Sequence, residues 1–219
     1  MRTAFVSVRA LHTLAIEDRT GHRDRIIDAI DAAVHTTPRP VAVAGVSLGA
    51  HAAAAWAATS GHDRVDALGL VMPAWLGRPD AVASLSVTTA ERVRTTGLDT
   101  LLAQIRAEAP DRWEVEDLQI DWPDYGDHLA PALAAAGHSP APTLADLARI
   151  TVPCGVVALR DDPLHPASVA RAWAAALPRA RLITLGRSAP GAHRSVLGAA
   201  AQAGWRLAAQ SADPSGVAT

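Results

Sequence analysis

The sequence predicts an α/β protein with a mostly parallel sheet of about five strands, flanking helices and one helical insertion. Short apolar runs that are typical of buried strands alternate with helix-period segments in the first third of the chain and again after residue 149. Between these two parts, residues 74–148 contain charged residues, tryptophans and several prolines, but no clear strand. Strands that alternate with helices form parallel sheets joined by right-handed crossovers.

The amino-terminal part predicts a strand over 4–10 and a helix over 22–35. The strand is the apolar run Ala-Phe-Val-Ser-Val-Arg-Ala, and the helix repeats its apolar residues at helical spacing from Ile26 to Val34. Two prolines end this helix directly before the next strand.

The run Val-Ala-Val-Ala-Gly predicts a strand over 41–45, and the alanine-rich stretch that follows predicts a helix over 50–59. A Ser-Gly pair ends that helix. A third apolar run predicts a strand over 66–72, which Pro73 terminates.

After the insertion, the same alternation predicts strands over 155–160 and 181–185, each followed by a helix, over 166–177 and 192–209. We therefore expect one core, made of residues 1–73 and 149–219, and a helical insertion of residues 74–148 above the carboxyl edge of the sheet.

Composition limits the class of function. The chain has 219 residues, 49% apolar and 19% charged, with a formal net charge of −2, which indicates a globular protein and not a nucleic-acid binder. All twenty basic residues counted as Lys or Arg are arginines, which excludes Schiff-base lysine chemistry. Arg2 and Arg9 interrupt the amino terminus, and no stretch is long enough for a membrane span, so we expect a cytoplasmic protein without membrane contact.

The most informative motif is Gly45-Val46-Ser47-Leu48-Gly49, which lies between a predicted strand and a predicted helix. A strand that turns directly into a helix brings backbone against backbone, and glycines that flank the serine remove the Cβ atoms that would clash. Ser47 is then held at a helix N-terminus, where unpaired N–H groups favour negative charge. In this motif the chain resembles the alpha/beta-hydrolases, whose nucleophile elbow has this pattern.

The resemblance implies a catalytic triad in the chain order Ser, acid, His. Asp162 matches the family's acid position at the turn after the strand over 155–160, with Asp161 as the alternative. His193, in the loop after the last strand, matches the position of the base. For His165, within the acid turn, we favour a structural role.

The resemblance also implies that the backbone N–H of Leu48 stabilises an oxyanion. The family's second donor comes from a His-Gly loop that this sequence lacks, and only 46 residues precede Ser47. We therefore expect the amino-terminal strands of the family to be missing, so that strand 4–10 must pair directly with strand 41–45. Three explanations stay open: a longer natural chain, a second donor from residues 72–74 or the insertion, and a relative that binds a ligand without turnover.

The same resemblance implies a serine esterase or related acyl hydrolase with a cap domain. It implies that the enzyme acts on an ester, lactone or thioester of a small molecule and needs no cofactor or metal. Trp75, Trp113 and Trp122 are candidates for lining its pocket, with core packing weighted equally for Trp75. An exposed edge of the shortened sheet allows pairing with a second copy, giving a homodimer.

Overall fold

A computed structural model describes residues 4–7, 22–37 and 41–211. Five strands form one sheet in the order of the sequence, and every neighbouring pair is parallel. The strands are β1 (Ala4–Ser7), β2 (Val41–Val46), β3 (Ala67–Val71), β4 (Cys154–Leu159) and β5 (Ala180–Leu185). The predicted parallel α/β sheet is confirmed, although residues 8–10 of the first predicted strand lie outside the described residues.

Ten α-helices flank the sheet or lie in the insertion within the described ranges. They are α1 (His22–Thr36), α2 (Leu48–Trp56), α3 (Ala81–Thr96), α4 (Leu98–Glu108), α5 (Trp113–Asp121), α6 (Leu129–His138), α7 (Leu144–Ala148), α8 (Ala167–Ala176), α9 (Ala189–Ala192) and α10 (Ser195–Gln210). A π-helical turn follows α2, and a 3-10 helix over Trp122–His128 joins α5 to α6.

The helices divide between the two faces of the sheet. One core cluster packs apolar residues of α1, α2, α7 and α8 against the strands, and a second cluster packs α10 on the other face. This division is expected, because right-handed crossovers in a sheet whose strands follow the chain order place all crossover helices on one face. The last helix then covers the other face, where Trp205 and Ala201 are buried against β3 and β4.

Strand β1 pairs directly with β2, from Ala4 opposite Val41 to Ser7 opposite Ala44. This direct pairing is what the sequence analysis expects. The carboxyl ends of β1, β2, β3 and β4 therefore open on one edge of the sheet, and this edge carries Ser47 and the turn after β4.

Between β3 and β4, the described chain forms helices and no strand. Helices α3 and α6 pack against each other, and the carbonyl of Ser139, at the end of α6, accepts a hydrogen bond from the Trp75 indole at 3.2 Å. Within the described ranges, no helix has both the length and the apolar character that crossing a bilayer requires.

Candidate active site

The turn from β2 into α2 holds Ser47 in a backbone conformation that few non-glycine residues adopt. Its φ is 54° and its ψ is −117°, and its N–H donates to the Val71 carbonyl at 2.8 Å. A Cβ on Gly45 would lie 2.2 Å from the backbone of Gly49, so only glycine fits there. Strand and helix thus approach as closely as the motif indicates, and the serine is raised at the apex of a sharp turn.

Three side chains form one hydrogen-bonded relay at this edge. Nε2 of His165 lies 2.9 Å from Oγ of Ser47, and Nδ1 of His165 lies 2.9 Å from Oδ2 of Asp162. An ionised carboxylate can only accept, so Nδ1 carries the proton and Nε2 is left to accept from the serine hydroxyl. This is the protonation that a serine nucleophile and its base require.

Asp162 is held as a carboxylate in spite of being almost fully buried. Burial alone would raise its pKa, but the hydrogen bond and charge of His165, the N–H of Leu164 and the charge of Arg187 outweigh burial and lower it. The Leu164 N–H donates to Oδ1 at 2.9 Å, so both carboxylate oxygens have partners. We infer that this group is ionised and fixed in orientation at neutral pH.

The turn after β4 places acid and imidazole three residues apart. Asp161 has a φ of 58°, in the left-handed region that Asp tolerates better than most residues. Its carbonyl accepts a hydrogen bond from Nη1 of Arg187 at 2.8 Å, while its side chain is exposed. Of the two neighbouring aspartates, the structure therefore brings Asp162 to the relay and leaves Asp161 outside it.

Comparisons with known proteins agree with this geometry. The sequence profile of the serine hydrolase family matches residues 6–112, which include the elbow. Solved structures with similar folds include a candidate non-heme bromoperoxidase of Mycobacterium tuberculosis, with a TM-score of 0.64 and 19% identity over 85% of this chain and 74% of that one. The chain has the alpha/beta-hydrolase fold.

Two further solved structures have folds similar to that of the chain. The enol-lactonase of Burkholderia xenovorans has a TM-score of 0.61 and 18% identity, over 81% of this chain and 70% of that one. A thermophilic esterase of Thermogutta terrifontis has a TM-score of 0.59 and 20% identity, over 84% of this chain and 71% of that one. No curated protein matches the chain. The family match and these neighbours support a hydrolase as the general class.

The histidine beside Ser47 is not the one that the alpha/beta-hydrolase resemblance implies. His193 is exposed at the end of α9, and its side chain makes no hydrogen bond among the described residues. The sequence analysis favours a structural role for His165, but in the structure its ring lies within hydrogen-bond distance of both Ser47 and Asp162. The signal for His165 was its position three residues after Asp162, in a turn stiffened by Pro163 and Pro166, which lets the two side chains meet locally.

Donors for an oxyanion are few at this alpha/beta-hydrolase elbow. In the described part of the chain, the N–H groups of Leu48 and Gly49 have no hydrogen-bond partner, so both are available at the start of α2. The segment after β3 offers none: the Met72 N–H donates to the Val157 carbonyl at 2.8 Å, and the Ala74 N–H donates to His51 at 3.0 Å. Pro73 has no N–H. Of the two sources proposed for a second donor, residues 72–74 therefore have no free N–H, and the insertion stays a prediction.

His51 is a fully buried histidine one turn into the elbow helix. Its ring packs edge-on against Trp75 at 4.6 Å and stacks near Trp173 at 5.4 Å, and its Nε2 accepts from the Ala74 N–H. Burial, with smaller electrostatic contributions from His165 and Arg23, lowers the pKa of His51 to about 3. His51 is therefore neutral and fixes the chain that leaves β3.

The burial of neutral His51 predicts a pH dependence of stability. Its pKa is about 3 in the folded chain, against an ordinary value of 6.5, so below pH 6.5 the unfolded chain takes up a proton that the folded chain does not. Stability then falls with falling pH, by about 1.4 kcal/mol per unit, or about 2 kcal/mol by pH 5. In His51→Gln, whose amide oxygen can still accept from Ala74, urea unfolding at pH 7 and pH 5 should show a loss smaller by about that amount.

His138→Gln serves as the control for this measurement, because His138 is exposed at the end of α6. It should keep the pH-dependent loss of the unchanged protein. Equal losses in all three proteins would show that His51 is not the group responsible.

The three tryptophans predicted to line a pocket have different surroundings. Trp75 belongs to the main core, and its carbonyl accepts from the Trp173 indole at 3.1 Å. Trp113 is half-buried and donates to the Arg187 carbonyl at 2.9 Å, and Trp122 is half-buried at the start of the 3-10 helix. Core packing, the alternative given equal weight for Trp75, is what the structure shows for that residue. Substrate contact by the other two stays a prediction.

No group of three potential metal ligands lies together within the described ranges. The chemistry available at the site is that of the serine, the imidazole, the carboxylate and the free amides of the elbow.

Proposed function

We propose that the protein is a serine hydrolase that cleaves an ester, lactone or thioester of a small molecule through an acyl-enzyme. The observation that carries this proposal is the continuous relay from Ser47 through His165 to Asp162, on an elbow with a positive φ. A serine hydroxyl is a weak nucleophile at neutral pH, and this arrangement supplies both a base and the group that orients it.

In the first half of the reaction, Oγ of Ser47 attacks the substrate carbonyl carbon while Nε2 of His165 takes the hydroxyl proton. The imidazolium that forms is stabilised by the Asp162 carboxylate at 2.9 Å. The tetrahedral intermediate places its oxyanion near the free N–H of Leu48. Collapse of this intermediate breaks the bond to the alcohol or thiol, which leaves with the proton from His165.

In the second half, His165 takes a proton from water and the hydroxide attacks the acyl carbon. The second tetrahedral intermediate releases the carboxylic acid, and the proton on Nε2 returns to Ser47. No cofactor enters this sequence. The division into a core of residues 1–73 and 149–219 and a cap of residues 74–148 is part of the proposal, with the cap shaping the acyl pocket.

Two structural neighbours, an enol-lactonase and an esterase, support an oxygen ester or lactone as the substrate class. A small-molecule substrate, a cytoplasmic location and the homodimer remain predictions from the sequence. A second candidate function is ligand binding without efficient turnover. The observation that favours it is that both free N–H groups, those of Leu48 and Gly49, belong to the elbow itself, and the segment after β3 adds no second donor from another part of the chain. Loss of one oxyanion donor typically costs about 10²–10³ in rate, which would suit a ligand-binding relative with little turnover.

Labelling with a fluorophosphonate probe tests the proposal, because such probes react with an activated serine. We expect the folded protein to be labelled at Ser47, located by mass spectrometry of the peptides, and to hydrolyse p-nitrophenyl acetate. Ser47→Ala is the control and should lose both reactions. A folded protein that is neither labelled nor active would favour the ligand-binding alternative.

A further inference from the structure

The loop after β5 joins the helical insertion to the core. The Trp113 indole donates to the Arg187 carbonyl at 2.9 Å, and the Arg194 guanidinium bonds to the Asp117 carboxylate at 3.0 Å and to the Trp113 carbonyl at 3.2 Å. Arg194 also lies over the Trp113 ring, 4.9 Å from its centroid. The first turn of α5 is thus bound to this loop through polar contacts and one cation–π contact.

Among the residues of this loop described above, Arg187 also contacts the turn after β4, which holds Asp161 and Asp162. Its Nε lies 3.2 Å from Oε1 of Glu114, in the first turn of α5, and its Nη1 donates to the Asp161 carbonyl at 2.8 Å. The side chains of Arg187 and Glu114 are 27% and 18% exposed, so their ion pair is only partly screened by solvent. A guanidinium can hold two acceptors in fixed directions, which a lysine cannot do.

The residue that Arg187 holds is in a strained part of the turn. Asp161 has a positive φ, and Asp162 follows it directly. Both carboxylate oxygens of Asp162 already accept hydrogen bonds, one from the Leu164 N–H and one from His165. The direction of the carboxylate therefore depends on the backbone of the residues before and after Asp162. A hydrogen bond to the Asp161 carbonyl restrains the preceding peptide plane.

We propose that Arg187 is a positioning residue of the triad: by bridging Glu114 and the Asp161 carbonyl, it makes alignment of the triad acid depend on docking of α5. This inference rests on the proposed hydrolase function, since it assigns a role within the same site.

The charges around Arg187 agree with that role. On the α5 side, Arg187 faces the Glu114 carboxylate, whose Oε1 is also 3.4 Å from Nη2 of Arg112. On the other side, in the turn after β4, it faces the Asp161 carbonyl and the Asp162 carboxylate. After burial and the His165 contacts, the charge of Arg187 is among the causes that determine the pKa of Asp162, and it acts to lower it. Arg187 thus favours the ionised acid as well as its position.

Arg187→Met should lower kcat for p-nitrophenyl butyrate about tenfold and leave KM within about twofold, because the relay is misaligned while the acyl pocket is unchanged. Arg187→Lys should recover little of this loss, since it keeps the charge but cannot bridge both partners. Glu114→Met should give a similar loss, and the double variant should be no worse than either single one, as expected for two groups of one bridge.

Arg206→Met is the matched control, because Arg206 is exposed on α10 and makes no hydrogen bond or ion pair among the described residues. It should match the unchanged protein. In parallel, the downfield proton NMR signal of His165 Nδ1–H should shift in Arg187→Met and Glu114→Met but not in Arg206→Met. This signal reports on the bond to Asp162 without any substrate, so it tests the positioning role even if the protein does not hydrolyse the ester.

Three results would overturn the inference. Full recovery by Arg187→Lys would leave charge, and not the bridge, as the cause. Losses that multiply in the double variant would show that Glu114 and Arg187 act separately. An unmoved NMR signal in a folded Arg187→Met protein would show that the acid is held without the bridge. Failure of the hydrolase proposal itself would be distinct, because the unchanged protein would then resist fluorophosphonate labelling.

Discussion

His165→Asn should lower kcat/KM for a p-nitrophenyl ester by about 10³-fold, whereas His193→Asn should leave it within about twofold. The reason is geometric. Nε2 of His165 lies 2.9 Å from Oγ of Ser47, within reach of the proton that must be removed, and the exposed His193 side chain has no such contact. Steady-state kinetics and the rate of fluorophosphonate labelling at pH 7.5 (about one unit above the usual pKa of histidine) measure both effects.

The two variants are matched, because each exchanges an imidazole for an amide at the same edge of the fold. Circular dichroism and the thermal midpoint show whether both remain folded. The reverse outcome, loss of activity in His193→Asn with activity kept in His165→Asn, would return the base to the loop after the last strand. It would then follow that this loop rearranges when substrate binds, and that His165 is structural as the sequence analysis favoured.

The elements of this fold could be predicted because each has its own local signal. Helix α1 repeats apolar residues at helical spacing, and Ile26 and Ile30 are buried on one face as that spacing requires. The elbow could be predicted as well, since Gly45 tolerates no Cβ where the backbone of α2 approaches. In both cases the constraint acts between residues close together in the sequence.

The pairing of acid and imidazole depends on finer features. Whether Asp162 meets a histidine three residues later or one in the next loop depends on the backbone of the turn after β4, in which Asp161 has a positive φ. No periodicity encodes that angle. The family order of serine, acid and histidine does not distinguish between His165 and His193, because both follow Asp162 in the chain.

The free amides of the elbow show the same limit. The segment after β3 has the right position to supply an oxyanion donor, but the N–H of Ala74 is taken by a histidine 23 residues earlier in the chain. This contact accompanies the packing of the His51 ring against Trp75 and Trp173, and these residues come from three separate parts of the chain. Hydrogen-bond capacity at a site is thus a tertiary property, even where each residue is identified from the sequence.

Asp162→Asn should lower kcat/KM by about 10³–10⁴-fold, and Asp161→Asn should stay within about twofold. An asparagine amide in place of the Asp162 carboxylate cannot hold the imidazole with its proton on Nδ1 as the ionised group does, and it gives no charge to stabilise the imidazolium. Asparagine is tolerated at residue 161 because it also adopts a positive φ, and the Arg187 contact is to the backbone carbonyl. Kinetics from pH 6 to pH 8 measure both variants.

Protonation of the Asp162 carboxylate should not contribute to the kinetics in this pH range. The folded-state pKa of Asp162 is lowered, so the carboxylate is fully ionised above its unfolded pKa and becomes protonated only when the pH falls through the lowered value. No titration of the acid therefore lies between pH 6 and pH 8, and the loss in Asp162→Asn should be fully developed at pH 8. A loss equal in both aspartate variants would remove the distinction that the turn after β4 makes between them.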